Sequence, residues 1–236
     1  MKASLIIIGN EILSGRTQDK NLSYLANWLN QIGIQLSEVR VIRDEEEEII
    51  ITVNHLRERY DYVFTTGGIG PTHDDITTES IAKAFNVGLE VNSEALNILK
   101  EYYKDSELTE ARMKMTKIPI GAELVENPVS KAPGFKIENV FVMAGIPKIM
   151  QGMLEGAKKY LQSGNVIQSE SVDVFMPESY VADQLSKLQN LYDDVEIGSY
   201  PFSSADGKYG TSLVMRSSNI KRLNQCKIDL EAMIKN

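Results

Sequence analysis

Thr65-Thr66-Gly67-Gly68-Ile69-Gly70-Pro71-Thr72-His73-Asp74-Asp75-Ile76-Thr77 follows a short apolar run, Tyr62-Val63-Phe64, and leads into a segment of helical period. A strand, a bare-backbone loop, two acids and a helix start are how an α/β protein builds a site for a phosphorylated ligand. Glycines let backbone N–H groups approach an anion, and a helix N-terminus adds partial positive charge. Asp74 and Asp75 repel a phosphate, so they make sense with a divalent cation between them and the anion, or with one acting as a base. The loop is not a P-loop, because no Gly-Lys-Ser/Thr follows it. It is not a dinucleotide fingerprint either, because Gly67-Gly68-Ile69-Gly70 lacks the later glycine spacing.

Outward from this loop, apolar runs alternate with helix-period segments. Ala3–Ile8 reads as a strand. Leu22, Leu25, Ala26, Trp28 and Leu29 form an apolar stripe that predicts a helix over Asn21–Gln31, closed by Gly33. Ile34–Ile42 reads as the second strand and Tyr62–Thr65 as the third, with a helix over Thr77–Phe85. Ser93–Thr116 reads as helical and charged, and Ile118–Pro133 as a loop with three prolines. Val140–Met143 is another buried strand, and a helix follows over Lys148–Leu161. This alternation predicts a parallel sheet with helices on both faces, whose strand ends meet at one ligand-binding edge. After Ser163-Gly164-Asn165 the pattern becomes β-α-β-β-α, which predicts a small α+β domain. The expected division is 1–165 and 166–236.

The chain has 236 residues, 42% apolar and 25% charged, ordinary for a soluble protein. A net charge of −8 argues against nonspecific nucleic-acid binding, which needs a concentrated basic face. No apolar run is long enough to span a bilayer, and the N-terminus is too short in apolar residues for a signal peptide. The single cysteine, Cys226, reads as a structural thiol and suits a reducing cytoplasm.

Three places carry acids near strand ends. The turn Gly9-Asn10-Glu11-Ile12-Leu13-Ser14-Gly15 reads either as an ordinary βα loop or as part of a site, with Glu11 the residue of interest. Asp44, three residues before Glu47, reads on its own as a helix cap in a capping box. Asp74 and Asp75 close the glycine loop. His73 reads as solvent-exposed, with metal binding the lesser alternative. His55 reads as partnerless, Trp28 as core, and Arg112, Lys114 and Lys117 as a solvated charged segment. Lys114 would meet a phosphate only if that segment folded over the sheet edge. Tyr200-Pro201 reads as a rigid turn.

The glycine loop with its paired aspartates resembles the signature of the molybdopterin-binding (MoaB/Mog-like) superfamily, in the form found in the CinA family. Mog enzymes usually carry an arginine before the last aspartate; the Asp74-Asp75 pair is the CinA-type form. The resemblance extends to Gly9–Gly15 with Asn21, Arg40–Asp44, Met113–Pro119, Gly121–Glu123, Asn127-Pro128, Ala132–Phe135, Gly145-Ile146-Pro147, Glu178-Ser179 and Gly198–Pro201. It implies a three-layer α/β/α domain with a mostly parallel sheet. It also implies a divalent-metal-dependent (Mg, Mn or Co) hydrolysis of ADP-ribose to AMP and ribose 5-phosphate. Asp75 and Asp44 match acids implicated in catalysis, with Asp74 beside them. Asp74, Asp75 and Glu11 fit as metal ligands. Gly9, Asn10, Glu11, Ser14, Gly15, Asn21, Gly67, Gly68, Ile69, Gly70, Pro71, Thr72, Gly145 and Pro147 fit as phosphate- or nucleotide-binding positions.

The resemblance leaves two alternatives, adenylyl transfer to molybdopterin and a non-catalytic nucleotide- or pterin-binding module. It implies a small-molecule partner and a homo-oligomer, dimeric as in CinA relatives or trimeric as in Mog relatives. Full-length CinA proteins add a C-terminal amide-hydrolysing domain, for which a chain ending at Asn236 has no room. Two departures touch the site. Met143-Ala144-Gly145-Ile146-Pro147 replaces Leu-Pro-Gly-Val-Pro, with Ile149 where an acid is common. Ser130-Lys131 replaces Gly-Thr.

Overall fold

The computed structural model describes residues 1–204 and 207–234. The chain divides into two compact units, Met1–Gly164 and Asn165–Asn236. Among the described residues no helix is long and apolar enough to cross a membrane.

In the first unit the elements are β1 (Lys2–Ile8), α1 (Asn10–Leu13), α2 (Asn21–Gln31), β2 (Gln35–Ile42), α3 (Glu46–Arg57), β3 (Tyr62–Thr66) and α4 (Thr77–Ala84). They continue with β4 (Leu89–Val91), α5 (Ser93–Tyr102), α6 (Glu110–Lys114), β5 (Lys117–Pro119), β6 (Glu123–Val125), β7 (Gly134–Ile137), β8 (Val140–Met143) and α7 (Pro147–Ala157). The main sheet has the order β2-β1-β3-β8-β7-β6. Strands β2, β1, β3 and β8 run parallel, and β7 and β6 add an antiparallel edge.

Alternation along β1 shows why both faces are covered. Leu5 and Ile7 pack with Leu25 and Leu29 of α2 and Met150, Met153 and Leu154 of α7. Ile6 and Ile8 pack with Ile49, Val53 and Leu56 of α3 and Ile81 of α4. Each such fully buried aliphatic side chain contributes about 1.5–3 kcal/mol. The Phe64 and Phe141 rings stack at 5.0 Å on the α2/α7 side. Trp28 is core, with its Nε1 donating to Glu155 at 3.0 Å.

Ile118–Pro133 is not a plain loop. Lys117–Pro119 pairs antiparallel with Leu89–Val91, and Glu123–Val125 pairs with Gly134–Ile137. A tight turn through Glu138, at φ 49°, returns β7 onto β8. Ser93–Thr116 holds two helices, separated by residues 103–109. His55 has a partner, with Arg59 Nη1 at 2.8 Å.

The second unit contains β9 (Gln168–Val174), α8 (Glu178–Leu191), β10 (Glu196–Ser203), β11 (Tyr209–Ser217) and α9 (Ile220–Ile234). Its antiparallel sheet has the order β10-β11-β9. Val181 and Leu188 of α8 and Leu223, Cys226 and Leu230 of α9 share one core with Val174, Leu213 and Met215 of the sheet. Tyr200-Pro201 is not a turn; both residues pair with β11 inside β10. The Ser199 hydroxyl donates to the Glu178 carboxylate, joining two segments about 20 residues apart in sequence.

Candidate functional site

Four parallel strands end together, and the loops leaving them meet at the carboxyl edge of the sheet. Ile8 ends β1 and Glu11 follows it, Asp44 follows β2, Gly67–Pro71 with Asp74 and Asp75 follow β3, and Ala144–Pro147 follow β8. All line one cavity of about 550 Å³. Ligands of α/β sheets bind at this edge.

The turn after β1 is tied to the strand beside it. Gly9 N–H donates to the Ile42 carbonyl at 3.1 Å. Asn10 N–H donates to Asp44 Oδ2 at 2.8 Å. Asp44 therefore does not cap α3, whose capping position falls on Glu45 with no side-chain bond. The competing partner is the backbone of α1, brought alongside by the β1–β2 pairing. Glu11 folds back on the same turn, and a Cβ added at Gly9 would meet its Oε1 at 2.6 Å.

The glycine loop is forced by close approaches. Gly67 has φ +108°, and a Cβ there would lie 2.1 Å from the Ile8 carbonyl oxygen. Gly68 has φ +67°, and a Cβ there would lie 2.1 Å from Thr77 Oγ1. Both positions require glycine. Gly67 N–H donates to Met143 O at 3.1 Å, and Thr77 N–H donates to Gly68 O at 2.9 Å. That helix donor is thus committed to the loop itself and is not free for an anion. Gly70 leaves room for Asp75, whose Oδ2 would be 2.6 Å from a Cβ at that position.

Asp75 is held from two sides. Its Oδ2 accepts the Thr72 N–H at 2.9 Å and also the Thr72 hydroxyl proton. Lys114 Nζ donates to the carbonyls of Thr72 at 2.9 Å and Asp75 at 2.7 Å. Lys114 is therefore not a plain solvated charge, and its ammonium clamps the acidic loop by its backbone; Arg112 is held too, with Nη1 donating to the Glu107 carbonyl at 2.6 Å. The Thr72 hydroxyl is also the largest influence on the exposed Asp74. Together with the Asp74 backbone N–H, it holds that carboxyl below the usual carboxylate range. One hydroxyl proton is thus set between two carboxylates, and the bond geometry assigns it to Asp75.

Across the cavity, Asn21 Nδ2 donates to Gly145 O at 2.7 Å and fixes the turn after β8. Asn127 gathers the neighbouring loop, donating to Ser130 Oγ at 2.6 Å and Ala132 O at 2.7 Å. Ile149 lines the cavity wall.

Not every expected position reaches the cavity. Glu11, Gly67–Pro71, Gly145 and Pro147 line it with Asp44, Asp74 and Asp75. Gly9, Asn10, Asn21 and Thr72 act behind it through the backbone and side-chain bonds above. Ser14 points back to the Glu11 carbonyl at 3.3 Å, and a Cβ at Gly15 would find open space. His73 is exposed. Tyr103 and Met115 line the cavity without having been singled out in the sequence as site residues.

Among the described residues no group of three or more His, Cys, Asp or Glu is placed to hold a metal ion. Glu11, Asp74 and Asp75 are therefore not a preformed protein cage. The donor set still fits a hard divalent ion of the kind that takes one or two carboxylates and completes its shell with substrate phosphate oxygens.

The model of the family described as "Probable molybdopterin binding domain" matches residues 4–163, and that of "FAD synthase, middle domain" matches residues 166–236. A protein of Archaeoglobus fulgidus is 37% identical over 201 residues, covering 85% of this chain and 86% of its own length. A CinA-like protein of a Sulfurihydrogenibium species is 39% identical over 169 residues, 68% of this chain and 42% of its own. The crystal structure described as the protein CinA with unknown function, from Thermoplasma acidophilum, is similar at 37% identity and a TM-score of 0.64. The match covers 69% of this chain and 99% of that one.

Proposed function

Because the chain belongs to the MoaB/Mog-like molybdopterin-binding domain family and has CinA-like homologues, we propose that its cavity hydrolyses the phosphoric anhydride of a nucleotide, of which ADP-ribose is the leading candidate. The observation that carries this reading is the convergence of Glu11, Asp44, Asp74 and Asp75 on the cavity built by the glycine loop. Pure anion binding has no use for four carboxylates, since each repels the phosphates. Water activation beside a neutralised pyrophosphate does.

Water attacks one phosphorus, the bridging P–O bond breaks, and AMP and ribose 5-phosphate leave. Asp74, Asp75 and Glu11 are the residues that would hold a divalent ion, which when bound supplies charge neutralisation at the phosphate oxygens. Asp75 has one oxygen fixed by Thr72, which leaves Oδ1 to orient the water. Asp44 holds the β1 turn through one oxygen and presents the other. The bare backbone of Gly67, Gly68 and Gly70 lets the phosphates approach closely.

The test is release of AMP from ADP-ribose by purified protein with Mg²⁺, Mn²⁺ or Co²⁺. Turnover that disappears in Asp75→Ala while the fold persists supports the assignment; no AMP from the unaltered protein rejects it. The family match favours one second reading, adenylyl transfer to molybdopterin. Pterin fluorescence released on denaturing the purified protein would support that reading.

A further inference from the structure

The cavity is lined by the glycine loop and the acids and also by the apolar side chains of Tyr103, Met115, Ile146 and Ile149. Its volume of about 550 Å³ is within the range of roughly 300–1,000 Å³ that takes a drug-sized ligand. Phosphates and metal chemistry account for the glycine loop and the acids and leave these apolar side chains without a task.

Tyr103 follows α5 directly and lines the cavity half-buried. Arg112 of α6 lies over the Tyr103 ring, with Cζ 3.9 Å from the centroid. The guanidinium is fixed in turn, since Nη1 donates to the Glu107 carbonyl at 2.6 Å and to Ser106 Oγ at 3.2 Å. Ser106 N–H donates to the Tyr103 carbonyl at 2.7 Å, so residues 103–112 close on themselves around the stacked pair. The Tyr102 ring meets Tyr103 in an edge contact at 4.9 Å. The oxygens that hold Arg112 here are neutral, so its charge stays available to polarise the ring it covers. A flat ring immobilised before a ligand arrives loses little entropy on binding.

We infer that Tyr103, backed by Arg112, is the stacking surface for the purine ring of the nucleotide whose phosphates lie at the glycine loop. The inference rests on reading the cavity as a nucleotide site. It assigns the ring of the ligand to a platform on the 103–112 segment, and it makes no use of hydrolysis.

Calorimetry on the full chain with AMP and with ribose 5-phosphate tests it. The first ligand has a base and the second has none. Tyr103→Ala should weaken AMP between about 5- and 150-fold and leave ribose 5-phosphate within about twofold. Tyr103→Leu, which keeps apolar bulk without a flat ring, should behave in the same way, and Tyr103→Phe should bind AMP normally. Trp28 is the single native tryptophan, buried in the core, so Tyr103→Trp adds a cavity reporter whose fluorescence AMP should quench. Equal loss of both ligands, or unchanged AMP affinity in Tyr103→Ala and Tyr103→Leu, overturns the inference. So does a loss confined to a pterin probe, or failure of the unaltered protein to bind AMP. Normal AMP binding and stacking without ADP-ribose turnover sinks the hydrolase reading alone. Turnover with AMP affinity indifferent to Tyr103 sinks the stacking alone.

Discussion

Asp44 Oδ2 accepts the Asn10 backbone N–H at 2.8 Å, so the acid after one strand fixes the turn after its neighbour. This places a carboxylate in the cavity and makes it a structural pin at once. The two roles separate by substitution. Asp44→Asn keeps an oxygen for Asn10 and removes the charge; Asp44→Ala removes both. ADP-ribose hydrolysis should fall by about 100-fold or more in each. Thermal stability should fall clearly only in Asp44→Ala, by about 1 kcal/mol. Full activity in Asp44→Asn would reduce this residue to its pinning role.

Gly67 and Gly15 give a matched test of why the glycine loop is bare. Both have positive φ, +108° and +72°. A Cβ at Gly15 finds nothing within 4 Å, whereas one at Gly67 meets the Ile8 carbonyl at 2.1 Å. Gly15→Ala should cost only the backbone strain, about 1–2 kcal/mol. Gly67→Ala must also push apart β1 and β3, and should cost about 3 kcal/mol or more. Urea midpoints of the two variants measure the difference. Similar midpoints would mean that the loop yields where the structure has it wedged.

Lys114 reaches the carbonyls of Thr72 and Asp75 rather than any carboxylate. It is a positioning residue for the acidic loop. Lys114→Met should lower kcat by about 10-fold or more, by releasing Asp75 from its geometry, with a smaller effect on KM. Lys114→Arg should restore part of the loss, since its donors still reach the carbonyls. A change in KM alone would place Lys114 on the substrate instead.

The contrast between α2 and Lys114 explains what was legible. The helix Asn21–Gln31 is written in a local apolar stripe, and the structure places it over the same residues. The paired aspartates, the glycines and the mostly parallel sheet were legible for the same reason, since each is a contiguous pattern. The resemblance named Asp44 as a site acid, but its bond to Asn10 was not legible, because a helix start lay close by and offered a sufficient local partner. Its true partner is 34 residues away. Lys114 and Arg112 carried no trace of their targets, which are backbone carbonyls and an aromatic face. Strands β5 and β6 have three residues each, too few to show alternation among prolines, and only pairing reveals them.

The second unit carries its own pH limit. Burial pushes the Cys226 thiol up to about 11 from its ordinary value of 9.0. Burial and the bond to Asp229, at 2.5 Å, push Tyr192 up to about 12 from 10.0. Both groups ionise more readily in the unfolded chain, so between their unfolded and folded values the native state binds more protons. Stability from them is whole below about pH 9 and declines as the pH climbs towards 12. Near-UV circular dichroism followed from pH 8 upward should therefore show unit Asn165–Asn236 losing tertiary structure in that window. Tyr192→Phe removes one of the two ionisations together with its bond to Asp229. It should start less stable at neutral pH, by about 1 kcal/mol, and lose less on going alkaline. A pH slope as steep as that of the unaltered protein would show that Tyr192 does not titrate in this transition. Cys226 should resist thiol reagents at pH 8 in the native protein and react in urea, since its sulfur is fully buried and its thiolate is disfavoured there.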